Sequence, residues 1–304
     1  MARENYILLY GCVISKPHIE VSDNGQYLKG RIILQTARKT FATEDLQLRG
    51  DIRWDTPCIQ TKRPDLIRKV FTKIRQGDMV MVKGNLCSYE VSRRAVCPRC
   101  GNNVRKEGGV ITYVDPICVY IEQKGEQSFQ EYLEERTLSE VEAAALKKSG
   151  LIGISLEKAV DLMERKVEIS NQVYLDGELC REPQFYEDTE KRFSQIQFQI
   201  AVNRKRYIRE DNPDKRTDYI WIKAYGGQAK EYAETLHLHS RITVNGAIQT
   251  RKVLGDYWCD NCGNLFQKEQ LSQEIVPYSI EYRDNCTLPE PEERKESDEK
   301  TEFG

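Results

Sequence analysis

The sequence predicts an all-β protein made of two small barrels that a helical segment joins. Two observations support this prediction. The same order of elements, three apolar strands, a helix and a further strand, occurs twice along the 304 residues. Each copy then continues into a hairpin in which a glycine, Gly84 or Gly246, is followed 13 residues later by C-x-x-C-G-N. Matched spacing at two places in one chain indicates a duplication.

In the first copy, three predicted strands begin at Tyr6, Lys29 and Thr56. The first and third of these runs are rich in β-branched and aromatic residues, which is typical of strands. Asp23-Asn24-Gly25 marks a turn between the first two runs. The apolar residues of DLIRKVFTKIRQGD recur at helical spacing before a glycine. This pattern predicts a helix within residues 64–75, and GDMVMVKGNL then begins the hairpin.

The second copy repeats this order. NQVYLDGELCREPQF aligns Gly177 with Gly11 and Pro183 with Pro17, and QIQFQIAVNRKR follows as the second strand. DYIWIKAYGGQAKEYAETL supplies the third strand and the helix. Because strands and helices do not alternate regularly, a parallel α/β sheet is disfavoured. A β-β-β-α-β unit with an extended terminal hairpin is the pattern of the OB-fold, a small Greek-key barrel.

The predicted domains are a first OB-fold barrel over residues 1–124, a helical linker over 125–170, a second barrel over 171–283 and an acidic tail over 284–304. Helical periodicity in SFQEYLEERTLSEVEAAALKKSG and SLEKAVDLMERKVEIS predicts one or two linking helices, with Ser155 as an N-cap. The tail is too polar to order itself. It is either a solvated end or a tethered peptide that binds other proteins.

The charge of −2 hides an uneven distribution. Residues 1–110 hold 20 Lys and Arg against 11 Asp and Glu, whereas residues 284–304 hold 3 against 8. A basic front half fits a nucleic-acid partner, although an ordinary solvated surface is the alternative. No apolar run approaches the ~18 residues that span a bilayer, and the first residues lack a leader pattern. We therefore expect a cytoplasmic protein.

The C-x-x-C pairs predict a structural zinc site, because such knuckles hold metal and zinc needs four ligands. One site could be shared between the copies, each pair could find local partners such as Cys87 and Cys118, or the pairs could meet another chain. The second copy has Gln249 and Ser279 at the positions of those two cysteines, which favours the shared site. Its ligands would be Cys97, Cys100, Cys259 and Cys262. For Cys12, Cys58 and Cys180 we expect buried apolar packing.

The segments GELCREPQ, FQIAVNRK, TDYIWIKAYGGQAKEYAETL and ITVNGAIQTRK resemble the bacterial single-stranded DNA-binding protein family in order and spacing. The resemblance covers most of residues 172–253, and the first copy follows it more loosely, in GDMVMVKGNL and at Arg38-Lys39. It implies binding without catalysis, with aromatic rings stacked on unpaired bases and basic side chains along the phosphates.

By position, Tyr219 and Tyr225 fall where the family places stacking aromatic residues. Trp221 and Lys223 continue the same strand face, although Tyr219 and Trp221 could instead face the core. The first copy has Thr56, Cys58, Gln60 and Lys62 on the corresponding face, so it lacks these rings. The predicted nucleic-acid contacts are Arg38, Lys39, Trp54, Lys62, Arg63, Arg204, Lys205, Tyr219, Trp221, Lys223, Tyr225, Arg251 and Lys252.

The sequence thus predicts a zinc-containing, non-enzymatic protein that binds single-stranded DNA with little sequence specificity and supports replication or recombination. Two barrels per chain fit a homodimer or a monomer. The acidic tail could recruit replication or recombination proteins, but its tip, Glu302-Phe303-Gly304, lacks the proline and terminal phenylalanine of the family. The alternatives are RNA binding and a non-catalytic scaffold or accessory role in a replication or primase complex. The three histidines are too scattered for a histidine-based catalytic site.

Overall fold

We describe a computed structural model of the chain, over residues 4–39, 52–123, 156–203 and 217–287. The expected helix before Gly150, the N-cap at Ser155 and most of the tail lie outside these residues. None of the helices in the described ranges is long and apolar enough to span a membrane.

The first barrel begins with three strands and a short pair that leads to a helix. Its elements are β1 (Asn5–Val13), β2 (His18–Val21), β3 (Tyr27–Lys39), β4 (Ile52–Asp55), β5 (Cys58–Thr61), α1 (Pro64–Lys69), a 3-10 turn (Phe71–Lys73) and the hairpin of β6 (Met79–Val96) and β7 (Asn103–Gln123). The predicted helix is present but stops at Lys69 and continues as the 3-10 turn. It begins at Pro64, whose missing N–H costs nothing in the first turn.

Two linking helices and the second barrel follow. They are α2 (Leu156–Arg165), α3 (Val167–Ser170), β8 (Asn171–Leu179), β9 (Gln184–Asp188), β10 (Phe193–Asn203), β11 (Thr217–Tyr225), α4 (Gly226–Thr235) and the hairpin of β12 (Arg241–Cys259) and β13 (Asn264–Asp284). The segment that the sequence placed as third strand and helix thus forms β11 and α4.

All thirteen described strands belong to one continuous sheet. The first barrel closes where β1 pairs with β3, and the second closes where β8 pairs with β10. In each barrel the third-strand segment runs parallel to the second strand of the hairpin, β5 to β7 and β11 to β13. Apolar side chains of β1, β3, β8 and β10 fill the interiors. The prediction of two OB-fold barrels is confirmed.

The barrels are joined edge to edge by the antiparallel pairing of β1 with β8. Ile7 lies opposite Val173 at the centre of this pairing. Under the alignment of Gly11 with Gly177, these two residues occupy equivalent positions. The two barrels are therefore related by a pseudo-two-fold axis that passes between Ile7 and Val173.

A buried asparagine at the start of β1 and of β8 fixes the hairpin beside it. The Asn5 amide donates to the Leu86 carbonyl (2.9 Å) and accepts from the Leu86 N–H (2.7 Å). Asn171 makes the same two bonds with Ile248, at 2.8 and 2.9 Å. Because these backbone groups are buried, water cannot replace the hydrogen bonds that the asparagine side chain makes with them.

Replacing Asn171 with alanine should lower the free energy of unfolding by about 2–4 kcal/mol, because a buried N–H and a buried carbonyl each lose their partner. Urea denaturation measures this change. Asn245→Ala, on the outer face of β12, is the matched control and should stay within about 0.5 kcal/mol of the wild type. Equal losses in the two variants would contradict the structural role of Asn171.

In each barrel, one buried aspartate is hydrogen-bonded to the hairpin of the other barrel, and we call this arrangement an aspartate clasp. The Asp55 carboxylate accepts from the Thr250 N–H (2.7 Å), and the Thr250 hydroxyl accepts from the Thr56 N–H (2.8 Å). At the pseudo-equivalent place, Asp218 accepts from the Ser88 N–H (2.7 Å) and the Ser88 hydroxyl accepts from the Tyr219 N–H (2.8 Å). Both carboxylates are buried, so these clasps fix each third strand at the place where it begins.

The linking helices pack against the first barrel. Met163 is fully buried in a cluster with Tyr10 and Cys12. The Ser170 hydroxyl donates to the Tyr10 carbonyl (2.6 Å) and accepts from the Ala37 N–H (2.8 Å). Residues 161–170 are therefore fixed to the first barrel and do not act as a loose tether.

Candidate nucleic-acid interface and metal centre

The outer face of β11 carries the aromatic and basic residues that the sequence singled out. Ile220, Ile222 and Ala224 point into the core, which places Tyr219, Trp221, Lys223 and Tyr225 on the opposite face. Tyr219 is 39% exposed, and Trp221 and Tyr225 are half-buried. Tyr219 and Trp221 therefore point away from the barrel core, whereas Lys223 on the same face is only 5% exposed.

A groove of about 360 Å³ runs between this face and the hairpin of the first barrel. We call it the second-barrel groove. Its lining includes Trp221, Lys223, Arg251, Glu274, Gln273 and Arg93. Arg93 comes from the first barrel, so the groove is complete only because the two barrels are joined. Burial lowers the pKa of Lys223, against the opposing effect of the Glu274 charge.

A polar network lies beneath the second-barrel groove and reaches the first barrel. Arg251 pairs with Glu274 at 2.8 Å, and the Gln249 amide donates to Glu274 and to the Tyr225 hydroxyl, both at 3.2 Å. Gln249 in turn accepts from Arg38 at 3.3 Å. These bonds hold Arg251 and the Tyr225 ring in defined orientations.

Arg38 is only 8% exposed, and its Nε donates to the Asp55 carboxylate at 2.8 Å. This places it inside the contact between the barrels, whereas the sequence had assigned it to the phosphate track. Trp54 is half-buried against the Tyr10 and Met163 cluster, beside the linking helices.

The other predicted contacts are dispersed. Lys62 is exposed, and the Arg63 guanidinium donates to the carbonyls of Pro116 (2.6 Å) and Ile117 (3.0 Å). Lys252 is exposed and paired with Glu269 at 2.7 Å. The side chain of Lys39 and both Arg204 and Lys205 lie outside the described residues.

Further aromatic and basic side chains beside β11 were not selected from the sequence. The Arg181 guanidinium lies over the Trp221 ring, 5.5 Å from its centroid. Phe193 lies 6.2 Å from Tyr225, ring centroid to centroid. Tyr186 is exposed on β9, which is separated from β11 by β10. The strand register brings these residues together, and no local sequence pattern indicates it.

The cysteines of the two knuckles form one cluster. The Sγ atoms of Cys97, Cys100, Cys259 and Cys262 all lie within 4.8 Å of one another. Cys97 and Cys262 are 3.7 Å apart, and Cys100 and Cys259 are 3.6 Å apart. Four sulfurs bound at ~2.3 Å to a tetrahedral zinc ion lie ~3.8 Å from each other, whereas a disulfide requires ~2.05 Å. The cluster therefore has the spacing of a four-thiolate metal site.

The knuckle backbones have the conformation that the spacing predicted. Gly101 and Gly263 take φ of 74° and 61°, a left-handed conformation that glycine adopts without strain. Their N–H groups donate to the carbonyls of Cys97 (2.9 Å) and Cys259 (2.8 Å). Each turn thereby brings its two cysteines to the same side. Cys87 and Cys118 lie on β6 and β7, outside this cluster.

The surroundings of the sulfurs suit a bound cation. Burial opposes the charged form of Cys97, but hydrogen bonds from the backbone of Cys100 and Arg99 bring its pKa down to about 6. A hydrogen bond from the Asn261 side chain lowers the pKa of Cys100. Burial raises the pKa of Cys262 to about 12, and a coordinated metal ion removes that penalty by holding the thiolate.

Comparison with known proteins gives a family match for one segment of the chain and a similar fold for most of it. Residues 170–257 match the model of the single-strand binding protein family. Two crystal structures of the single-stranded DNA binding protein from Thermus aquaticus are similar to the chain. The wild-type protein has a TM-score of 0.55 at 12% identity, covering 95% of this chain and 97% of that one.

The second structure, a deletion mutant of the Thermus aquaticus protein, has a TM-score of 0.54 at 13% identity, covering 95% and 98%. No protein among the curated sequences matches the chain. At these identities the structures show a shared fold. The second barrel is similar to the single-strand binding protein family along its sequence, and the resemblance inferred from its residues is confirmed.

Proposed function

We propose that the protein binds single-stranded DNA without strong sequence preference and without catalysis. The observation that carries the proposal is the second-barrel groove, in which Trp221 lies beside Lys223, Arg251 and Arg93. Aromatic rings stack on any unpaired base, and lysine and arginine beside them pair with phosphates. The family match over residues 170–257 supports the same function. A role in replication or recombination follows from this binding activity.

The knuckle cluster would hold one zinc ion, which supplies structural cross-linking and no chemistry. The four thiolates come from two hairpins, so the ion would join the hairpin tips. The ring of Tyr257 stacks on Phe266 at 5.6 Å beside the cluster. Through β6 and β12, the fixed tips would keep Arg93 and Arg251 at a constant separation across the groove.

The binding test is titration of the protein with oligo-dT, oligo-U and duplex DNA. We expect oligo-dT to bind more tightly than duplex, and the affinity to fall steeply with salt because bound phosphates release counterions. Equal or tighter binding of oligo-U would favour an RNA ligand. Preference for duplex, or an affinity independent of salt, would overturn the proposal.

Trp221→Ala should weaken oligo-dT binding about 5- to 150-fold, the loss of ~1–3 kcal/mol expected for one stacked base. Trp221→Phe should retain much of the affinity because a ring remains. Trp258→Ala is the matched control, since Trp258 is exposed on the second knuckle outside the groove. Wild-type affinity in Trp221→Ala would show that the groove is not the binding site.

A further inference from the structure

The pseudo-two-fold axis relates the second-barrel groove to a groove on the first barrel. The barrel alignment places Cys58 at the position of Trp221 and Gln60 at that of Lys223. On the hairpin, where Gly84 corresponds to Gly246, Tyr89 takes the position of Arg251. All three first-barrel residues line one groove of about 150 Å³, which we call the first-barrel groove.

The first-barrel groove has aromatic rings where the second-barrel groove has an ion pair. Arg251 and Glu274 lie 2.8 Å apart in the second groove. Their counterparts, Tyr89 and Tyr113, form an edge-to-face pair with centroids 5.6 Å apart and planes at 67°. The third strand of the first barrel has no stacking ring, as the sequence indicated, but its hairpin supplies two.

Tyr89 is accessible to a ligand. It is 40% exposed and lies on the hairpin face that lines the groove, where Leu271 of the second barrel is also exposed. Edge-to-face contact with Tyr113 holds the ring without burying it. A large exposed ring beside an exposed leucine, at the mouth of a groove, is an apolar surface of the kind that binds ligands.

Polar groups in this groove match the edges and phosphate of a nucleotide. Gln273 Oε1 accepts from the Cys58 N–H at 3.4 Å, which directs the amide into the space between the barrels. Its Nε2 is buried and has no hydrogen-bond partner among the described residues. A buried amide donor without a partner is unfavourable unless a ligand accepts from it, and every base carries acceptors on its edge. Arg31 lines the same groove and supplies a positive charge.

We propose that the first-barrel groove is a second site for an unpaired nucleobase, with Tyr89 and Tyr113 as the stacking surface, Gln273 as donor to the base edge and Arg31 as phosphate partner. This inference rests on the proposed function. One chain would then have two adjoining binding sites that share Val110, Thr112 and Gln273 in their linings. The sites differ in chemistry, because one is basic with a tryptophan and the other is aromatic with a single arginine.

The test compares two oligo-dT lengths, about 8 nucleotides for one barrel and about 30 for both, within the range of ~4–16 nucleotides per OB-fold. Tyr89→Ala should weaken binding of the long oligonucleotide about 5- to 150-fold, as expected for one lost stacked base, and should shorten the protected length. Its effect on the short oligonucleotide should be much smaller, because that one occupies the second-barrel groove. Trp221→Ala should weaken the binding of both.

Tyr89→Phe keeps the ring and should bind like wild type, which separates stacking from a folding defect. Tyr120→Ala removes another exposed tyrosine of the same hairpin, outside the groove, and should leave both affinities unchanged. Photo-crosslinking of a 5-iodouracil oligonucleotide to Tyr89 or Tyr113 would be a direct positive result.

Two failures are distinguishable. If Trp221→Ala loses binding while Tyr89→Ala keeps wild-type affinity and protected length on the long oligonucleotide, the first-barrel site is overturned and the proposed function stands. If the wild-type protein binds neither oligonucleotide, the proposed function itself fails, and the first-barrel site fails with it.

Discussion

Replacement of Cys259 by serine is expected to abolish stable metal binding. The wild-type protein should contain about one zinc ion per chain, because its four clustered thiolates complete a structural site. Loss of one ligand should weaken metal binding at least about 100-fold, since even loss of a partner outside the ligand set costs ~10–100-fold. Elemental analysis after gel filtration measures the metal content.

The same variant should loosen both hairpin tips. Ala95, Val104 and Tyr257 form a small apolar cluster with Cys97 and Cys259. Without the metal the tips are held by this cluster and by exposed hydrogen bonds from Lys106 to the Asp256 carbonyl (3.1 Å) and from Lys268 to the Arg94 carbonyl (3.2 Å). Hydrogen exchange of residues 95–104 and 257–266 should therefore accelerate, while exchange in the barrels stays slow.

Cys180→Ser is the control for metal content, because Cys180 lies outside the cluster and its thiol donates to the Gln199 carbonyl at 3.3 Å. It should keep the wild-type zinc content. Full metal content in Cys259→Ser would contradict the shared site. If the protein contained iron instead of zinc, the shared four-cysteine site would still be supported, and only the identity of the metal would change.

Replacing Asp55 with alanine should lower the free energy of unfolding by about 3–5 kcal/mol, the usual cost of leaving one charge of a buried pair without its partner. Arg38 is buried beside Asp55, and the Thr250 N–H loses its acceptor as well. Urea denaturation measures the change. Because Arg38 also donates to Gln249, the substitution should weaken oligo-dT binding at the second-barrel groove too.

Two further variants separate the charge from the packing. Asp65→Ala, at the exposed start of α1, should cost no more than about 1 kcal/mol through the helix dipole. The double variant Arg38→Met, Asp55→Ala should recover part of the loss, because no buried charge then lacks a partner. If Asp55→Ala unfolded at the wild-type urea midpoint, the proposed contribution of Asp55 to stability would be contradicted.

Periodicity and spacing were enough to predict the main strands and the helix of each barrel and the cysteine cluster, but not the short strand β4. On β11 the alternation of isoleucine with aromatic and basic residues identifies the outer face, because side chains of a strand alternate between two sides. The cluster was predictable because zinc needs four ligands and each copy has only one pair.

The contact between the barrels was not predictable in the same way. Asn171, Asp55 and Asp218 look like ordinary polar residues, and their roles depend on which strands of the two barrels meet. Arg38 was predicted to contact phosphates because it precedes a lysine at the end of a strand. Its burial depends on its ion pair with Asp55, which is distant in the sequence. Tyr89 and Tyr113 become neighbours only through the register of a long hairpin.

The pairing of β1 with β8 also affects assembly. In an isolated first barrel, residues 5–9 of β1 would present unpaired backbone groups on the side that β8 covers. Such an edge invites pairing with a second molecule, and that association would depend on protein concentration. Because β8 belongs to the same chain, the edge is covered by an intramolecular partner at high effective concentration. The two-barrel unit should therefore stay intact on dilution to concentrations at which two separate barrels would come apart.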